Sequence, residues 1–151
     1  MKNIIQKMSY PIDANIFVYA SDSNSRHQQQ AVTFLEERKN DTELLFLSWF
    51  TLMAYQRITT HPNIFPTPLS PEEAWKNIEY LLTWPQVRII SEEEGFSDYY
   101  LQTTSEFPVR GNLVSDAHLA AILRQHGVKT MYSADSDFRK FSFLKVINPL
   151  R

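Results

Sequence analysis

The stretch Asn112–Ser133, NLVSDAHLAAILRQHGVKTMYS, decides how the chain is read. Its first part is nearly apolar around the middle (Ala117, Leu119, Ala120, Ala121, Ile122, Leu123). It predicts a helix over Asn112–His126, closed by Gly127 as a left-handed cap. Thr130–Ser133 follows as a short strand, so a buried helix feeds a strand across a tight connection. Asp116 stands inside that helix, in line with Leu113, Ala120 and Leu123 at spacings of three and four. A carboxylate on an inward-packing stripe is costly unless it is paired, hydrogen-bonded or bound to a metal ion.

The same alternation extends toward the N-terminus. Ser9–Asp13 reads as a strand, and Ile16–Tyr19 carries it into a helical turn. Ser25 is the expected N-cap of a helix running to Lys39, with Ala31, Phe34 and Leu35 on one face. Leu44–Leu47 is a continuous apolar run of strand length. Ser48 then caps a helix over Trp49–Thr60 that ends before Pro62. Ser70-Pro71-Glu72-Glu73 is a strong helix start, with a capping serine, proline in the first turn and acids at the positive end of the dipole. That helix should run to Thr83. Val87–Ile90 is a further strand, 94–105 a further helix, and Lys145–Ile147 a short last strand. The run Phe65–Leu69 reads as a stiff loop.

Strands alternating with helices imply a three-layer α/β/α sandwich with a mostly parallel central sheet of four to five strands. The strands lack polar alternation, as expected when both sheet faces are covered. With 151 residues, 43% of them hydrophobic, and no linker or repeat, residues 1–151 are expected to form one domain with its own core. Net charge is −2, so nothing global advertises nucleic-acid binding, although local patches decide contact with phosphates. The absence of cysteine excludes disulfides, zinc–thiolate sites and cysteine nucleophiles. Met1–Tyr10 carries no apolar run of signal-peptide length, and no stretch reaches membrane-spanning length, so a cytoplasmic protein is expected.

In open parallel α/β sheets, ligands bind at the carboxyl ends of the strands. Asp13 ends the first strand, and Asp135 and Asp137 follow the fourth, so they should share one sheet edge despite their separation in sequence. Asp116, near the start of its helix, aims at the same edge. Oxygen donors without histidine or cysteine suit Mg²⁺ or Mn²⁺ rather than zinc. Such ions orient a phosphodiester, generate a hydroxide nucleophile and stabilise the leaving oxygen. Read singly, each acid also has an ordinary role: Asp13 as a cap, Asp135 and Asp137 as turn formers, Asp116 as an N-terminal helix acid. Their common edge is what sets them apart.

Taken together, Ile12–Ala20, Arg57–Pro62, Pro68–Ala74, Gly111–Ala121 and Ser133–Phe138, with the ending Phe141–Leu150, resemble a PIN domain. Within that superfamily they resemble the VapC-type toxins of bacterial toxin–antitoxin pairs. Order and spacing agree over nearly the whole chain. The resemblance implies a metal-dependent endoribonuclease, with acids at Asp13, Asp116 and Asp135 and with Asp137 and Ser133 assisting. Asn15 matches a polar position beside the first acid. It also implies an antitoxin whose tail covers the active site, and a toxin dimer. Most PIN domains carry a glutamate on the helix after the second strand, where this chain has Ala54. One firmly held ion is therefore expected rather than two.

Further residues carry lesser expectations. His118 lies about 200° from Asp116 on the helix and should pack rather than ligate. His27, His61 and His126 lack partners at ligand spacing. Arg57 and Arg110 are surface arginines that could meet phosphates or an acidic partner. Trp49, Trp75, Trp84 and Tyr55 are expected in the core or a partner groove, and Glu92–Glu94 in a solvated loop. The leading expectation is an RNA-cleaving toxin that leaves 5′-phosphate and 3′-hydroxyl ends, with Asp116 or Asp135 orienting the attacking water. Its rivals are a catalytically silent module that binds an antitoxin or RNA, and a PIN nuclease acting in RNA processing or on DNA flaps.

Overall fold

A computed structural model describes residues 8–151. Residues 1–7, which carry part of the expectation about a signal segment, lie outside the described residues. The short strands β1 (Ser9–Pro11), β2 (Leu44–Leu47) and β3 (Val87–Ile89) pair in parallel in the order β1-β2-β3. β4 (Thr130–Tyr132) and β5 (Lys145–Ile147) form a second parallel pair, in which Thr130, Met131 and Tyr132 face Lys145, Val146 and Ile147. One bridge, Ile12 with Tyr132, joins the three-stranded sheet and the pair into a continuous parallel layer.

Alternating side chains on these strands feed two cores. Leu45 and Leu47 are fully buried on one face beneath α1 (Ala14–Ser21), α2 (Gln28–Lys39), α3 (Trp49–Thr59) and α4 (Pro71–Leu82). Phe46 points the other way, into a cluster under α5 (Phe96–Thr103) and α6 (Leu113–Gln125) that includes Leu119, Leu123 and Met131. Each such leucine stabilises the fold by roughly 1.5–3 kcal/mol relative to exposure. The α/β architecture with helices on both sides is therefore as read from the alternation.

Local chemistry sets most boundaries. Ser48 Oγ accepts from Thr51 N at 3.1 Å to start α3. At α4, Ser70 Oγ accepts from Glu73 N at 3.1 Å while Glu73 reaches back to Ser70 N, a full capping box. Gly127 takes φ 72° after α6, as its capping role requires.

Four expectations are corrected. The segment after Asp13 is a two-turn helix, α1, rather than a single turn, and strand pairing stops at Ile12 because Asp13 turns to cap that helix. α2 begins at Gln28, because Ser25 Oγ accepts from His27 N and holds 25–27 in a turn. α5 begins at Phe96, because Gly95 precedes it at φ 85°. β3 is an edge strand with Arg88 and Ile89 exposed, so not every strand is covered on both faces. A 3₁₀ turn over Ser136–Lys140 was not anticipated.

The capping box makes a direct prediction. Ser70→Ala should lower stability by about 1 kcal/mol, a fall in Tm of about 2–4 °C for a chain this size, measured by thermal denaturation.

Candidate active site

The site is built where β1 meets β4. Asp13 N donates to Tyr132 O at 2.9 Å, which brings the ends of the two strands together. Asp13 is also the N-cap of α1, its Oδ1 accepting from Ala14 N at 2.8 Å. Ser133, the residue after β4, is 1% exposed. Its hydroxyl donates to Asp13 Oδ2 at 2.7 Å and accepts from Asp135 N at 3.0 Å. Asn15 Nδ2 donates to the same Oγ at 3.4 Å, and Asn15 Oδ1 accepts from Ala134 N at 3.4 Å. One small hydroxyl thus fixes a carboxylate from β1 and the backbone of the loop after β4.

That loop runs directly into the 3₁₀ turn. Asp135 caps it, Oδ1 accepting from Asp137 N at 2.9 Å, and both aspartates are exposed. Asp116 enters from the other core, in the first turn of α6 and half-buried. α6 runs antiparallel to the β4 that follows it, so its N-terminus lies at the carboxyl edge of the sheet. No hydrogen bond satisfies the Asp116 carboxylate among the described residues.

The charges of the other three acids act on Asp116. Burial, then the charges of Asp137, Asp135 and Asp13, push the Asp116 carboxyl from 3.8 up to about 6. Lys140 acts in the opposite sense. Asp13 is also raised, chiefly by burial, while its bonds from Ser133 and Ala14 oppose the shift. Among the described residues, no three acids are drawn into a closed coordination group. Asp13 and Asp135 each use one oxygen to cap the element that follows. These are oxygen donors throughout, the type that hard cations take.

The remaining candidates fall away from this cluster. α3 contains no acid at all, so Ala54 has no neighbouring substitute on its helix. His118 Nε2 lies 2.7 Å from Glu92 Oε1, with its ring edge-on to Phe50 and Phe96. Glu92–Glu94 is an exposed loop, as expected, in which Glu93 N is held by Gln125 Oε1 at 2.9 Å. Arg57 sits in the last turn of α3, at the end far from the strand carboxyl edge, whereas Arg110 precedes α6 near it. Trp84 and Tyr55 are buried as expected, but Trp49 and Trp75 stack on each other at the surface, 44% and 39% exposed. Lys140, whose charge also acts on Asp116, has no role in the sequence reading, because its three-residue spacing from Asp137 carries meaning only in a 3₁₀ turn.

With this geometry in place, comparison with known proteins is informative. The PIN domain family model matches residues 10–144. Ribonuclease VapC48 of Mycobacterium tuberculosis is 38% identical over 142 residues, covering 94% of this chain and 98% of that protein. Ribonuclease VapC43 of the same organism is 32% identical over 139 residues, covering 92% and 94%. Among solved structures, VapBC2 from Rickettsia felis bound to a promoter DNA fragment superposes with a TM-score of 0.66 at 19% identity, covering 93% and 98% of the two chains. Mycobacterium tuberculosis VapC20, a Sarcin-Ricin loop cleaving toxin, superposes with a TM-score of 0.63 at 13% identity, covering 87% and 93%. At such identities these two attest to the fold alone. The family match and the near-full-length relatives establish that the chain belongs to the PIN-domain family, in its VapC group.

Proposed function

We propose that this protein is a divalent-metal-dependent endoribonuclease, acting as the toxin of a toxin–antitoxin pair. The observation that carries the reading is that Ser133 ties Asp13 to the Asp135 backbone while the charges of both aspartates act on Asp116, in a chain 38% identical to a VapC ribonuclease. A single domain over 1–151 and a cytoplasmic location belong to the same reading. Among the described residues no helix is long and apolar enough to cross a membrane.

The donor set fits Mg²⁺ or Mn²⁺. Asp116 is a half-buried carboxylate without a hydrogen-bond partner, raised by its neighbours' charge, and a cation relieves both costs at once. Asp13, Asp116 and Asp135 would hold the ion, with Asp137 in support. When bound, it supplies charge neutralisation for a phosphodiester and acidifies a water. The chain's own residues do the rest. Ser133 fixes the Asp13 carboxylate and the Asp135 backbone, and Asn15 braces both sides of that junction. Asp116 or Asp135 orients the attacking water. With Ala54 in place of an acid, the reading is of one firmly held ion.

Partners follow from two surfaces. An apolar groove of about 380 Å³ opens between α1, α2, α3 and α4, lined by Phe17, Val32, Leu35, Leu52, Leu81 and Trp84. Its apolar lining suits a segment of an antitoxin, the class of partner named in the solved toxin-antitoxin complex from Klebsiella pneumoniae. The exposed Trp49, Phe50, Met53 and Trp75 supply an apolar face for a homodimer.

Two outcomes check the reading. Asp13→Asn or Asp116→Asn should abolish cleavage of total RNA and the growth arrest caused by ectopic expression, with the circular dichroism of the fold retained; full cleavage by both variants contradicts the assignment. The second concerns pH. An acid raised from 3.8 to about 6 binds more protons folded than unfolded across that interval. The metal-free protein should therefore lose stability as pH rises through it. Asp116→Asn should remove that loss, raising stability at neutral pH by about 1 kcal/mol after allowance for solvent screening, as read from metal-free denaturation curves at several pH values.

A further inference from the structure

The aspartate cluster poses a problem for the substrate it is read as cutting. RNA is a polyanion, and a doubly charged ion leaves four carboxylates still net negative. A cation fixed beside the cluster, and not already committed to it, would resolve the conflict. Most candidates are otherwise engaged or misplaced. Arg38 pairs with Asp41 at 3.1 Å, Arg124 lies 4.2 Å over the Phe143 ring, and Arg88 donates to the carbonyls of Pro85 and Val87. Arg57 is at the far end of α3, and Arg110, exposed before α6, is not among the main charges that act on Asp116.

Lys140 differs from these. It ends the 3₁₀ turn Ser136–Lys140, whose start is pinned by the Asp135 cap. The far side of the turn is anchored by Phe138, 3% exposed, and the next residue, Phe141, 1% exposed. In a 3₁₀ helix, residues three apart are eclipsed, so Lys140 stands on the same face as Asp137. It is exposed and forms no ion pair among the described residues. Its charge nevertheless acts on Asp116, on another element. Arg139, one position back, is turned by about 120° from that face.

We propose that Lys140 is a substrate-contacting residue, its ammonium holding an RNA phosphate beside the aspartate cluster. The inference rests on the nuclease reading above and adds a substrate-binding residue to it. Lysine suits the role as a compact point charge on a flexible stem, able to meet a phosphate without fixed bidentate geometry. The aromatic anchors hold its backbone while the side chain stays free to reach.

The test compares wild type, Lys140→Gln, Lys140→Arg and the control Arg139→Gln. Total bacterial RNA is the substrate, and the dominant wild-type fragment is followed from about 50 to about 200 mM salt. Lys140→Gln should lower kcat/KM about tenfold at low salt, mainly through KM, as expected for one charge-assisted contact. The slope of log kcat/KM against log salt should become shallower by about 0.7, the value for one single-strand phosphate. Lys140→Arg should keep most of the rate, and Arg139→Gln the wild-type slope. All four proteins should melt alike, since both positions are exposed. Wild-type rate and slope in Lys140→Gln would overturn the inference alone, as would an equal loss in Arg139→Gln. If wild type itself cuts no RNA, the nuclease reading falls and the Lys140 contact with it.

Discussion

Between β1 and β4 the sheet is held by few bonds: one bridging pair, the Asp13 N–H on Tyr132 O, and the Ser133 hydroxyl on the Asp13 carboxylate. On one side stand β2 and β3 with the four helices that cover Leu45 and Leu47. On the other stand β5, α6 and the 3₁₀ turn. Every acid of the site is placed by this seam. Asp13 comes from its first strand, Asp135 and Asp137 from the loop after its second, and Asp116 from the helix that leads into that second strand. Ser133 is too buried to be a surface accident. Its hydroxyl has a single proton, given to the carboxylate, and lone pairs that take the Asp135 N–H and the Asn15 amide. Alanine there would leave the Asp13 carboxylate, the Asp135 N–H and the Asn15 amide without this partner.

The seam also gathers charge against the interest of folding. Carboxylates that could have stayed in solvent are set near one another, and Asp116 is half-buried besides. Helix chemistry meets part of the cost: Asp13 and Asp135 cap the elements they begin, and Asp116 lies at the positive end of α6. What remains is visible as the raised proton affinity of Asp116 and Asp13. Raised carboxylates at a strand edge are a pattern found at functional sites. On the proposed reading, a hard cation completes it from within and Lys140 eases the approach of a polyanion from without.

Much of this was legible in the chain itself. Apolar runs bounded by capping serines and Gly127 located β2, α3, α4, α6 and β4 to within a residue or two, because those boundaries are set by local hydrogen bonds. Sheet topology then predicted that Asp13 and Asp135 share an edge. What failed depended on conformations that spacing does not encode. Ser25 is an acceptable cap but closes a local turn instead. Asp13 ends strand pairing early because its side chain serves α1. The 3₁₀ geometry that puts Lys140 on the face of Asp137 could not be inferred from a five-residue polar stretch. The tryptophans divided between core and surface for the same reason: Trp84 lies under α4, whereas Trp49 opens a helix whose buried face is carried by Leu52 and Tyr55.

On the proposed reading, the seam between β1 and β4 assembles aspartates into a cation site. Calorimetric titration of Mn²⁺ into the purified, metal-free protein tests it most directly. One firm binding event is expected, lost in Asp13→Asn and weakened when Ser133→Ala frees the Asp13 carboxylate. An absence of binding, or binding that persists unchanged in both variants, would contradict it.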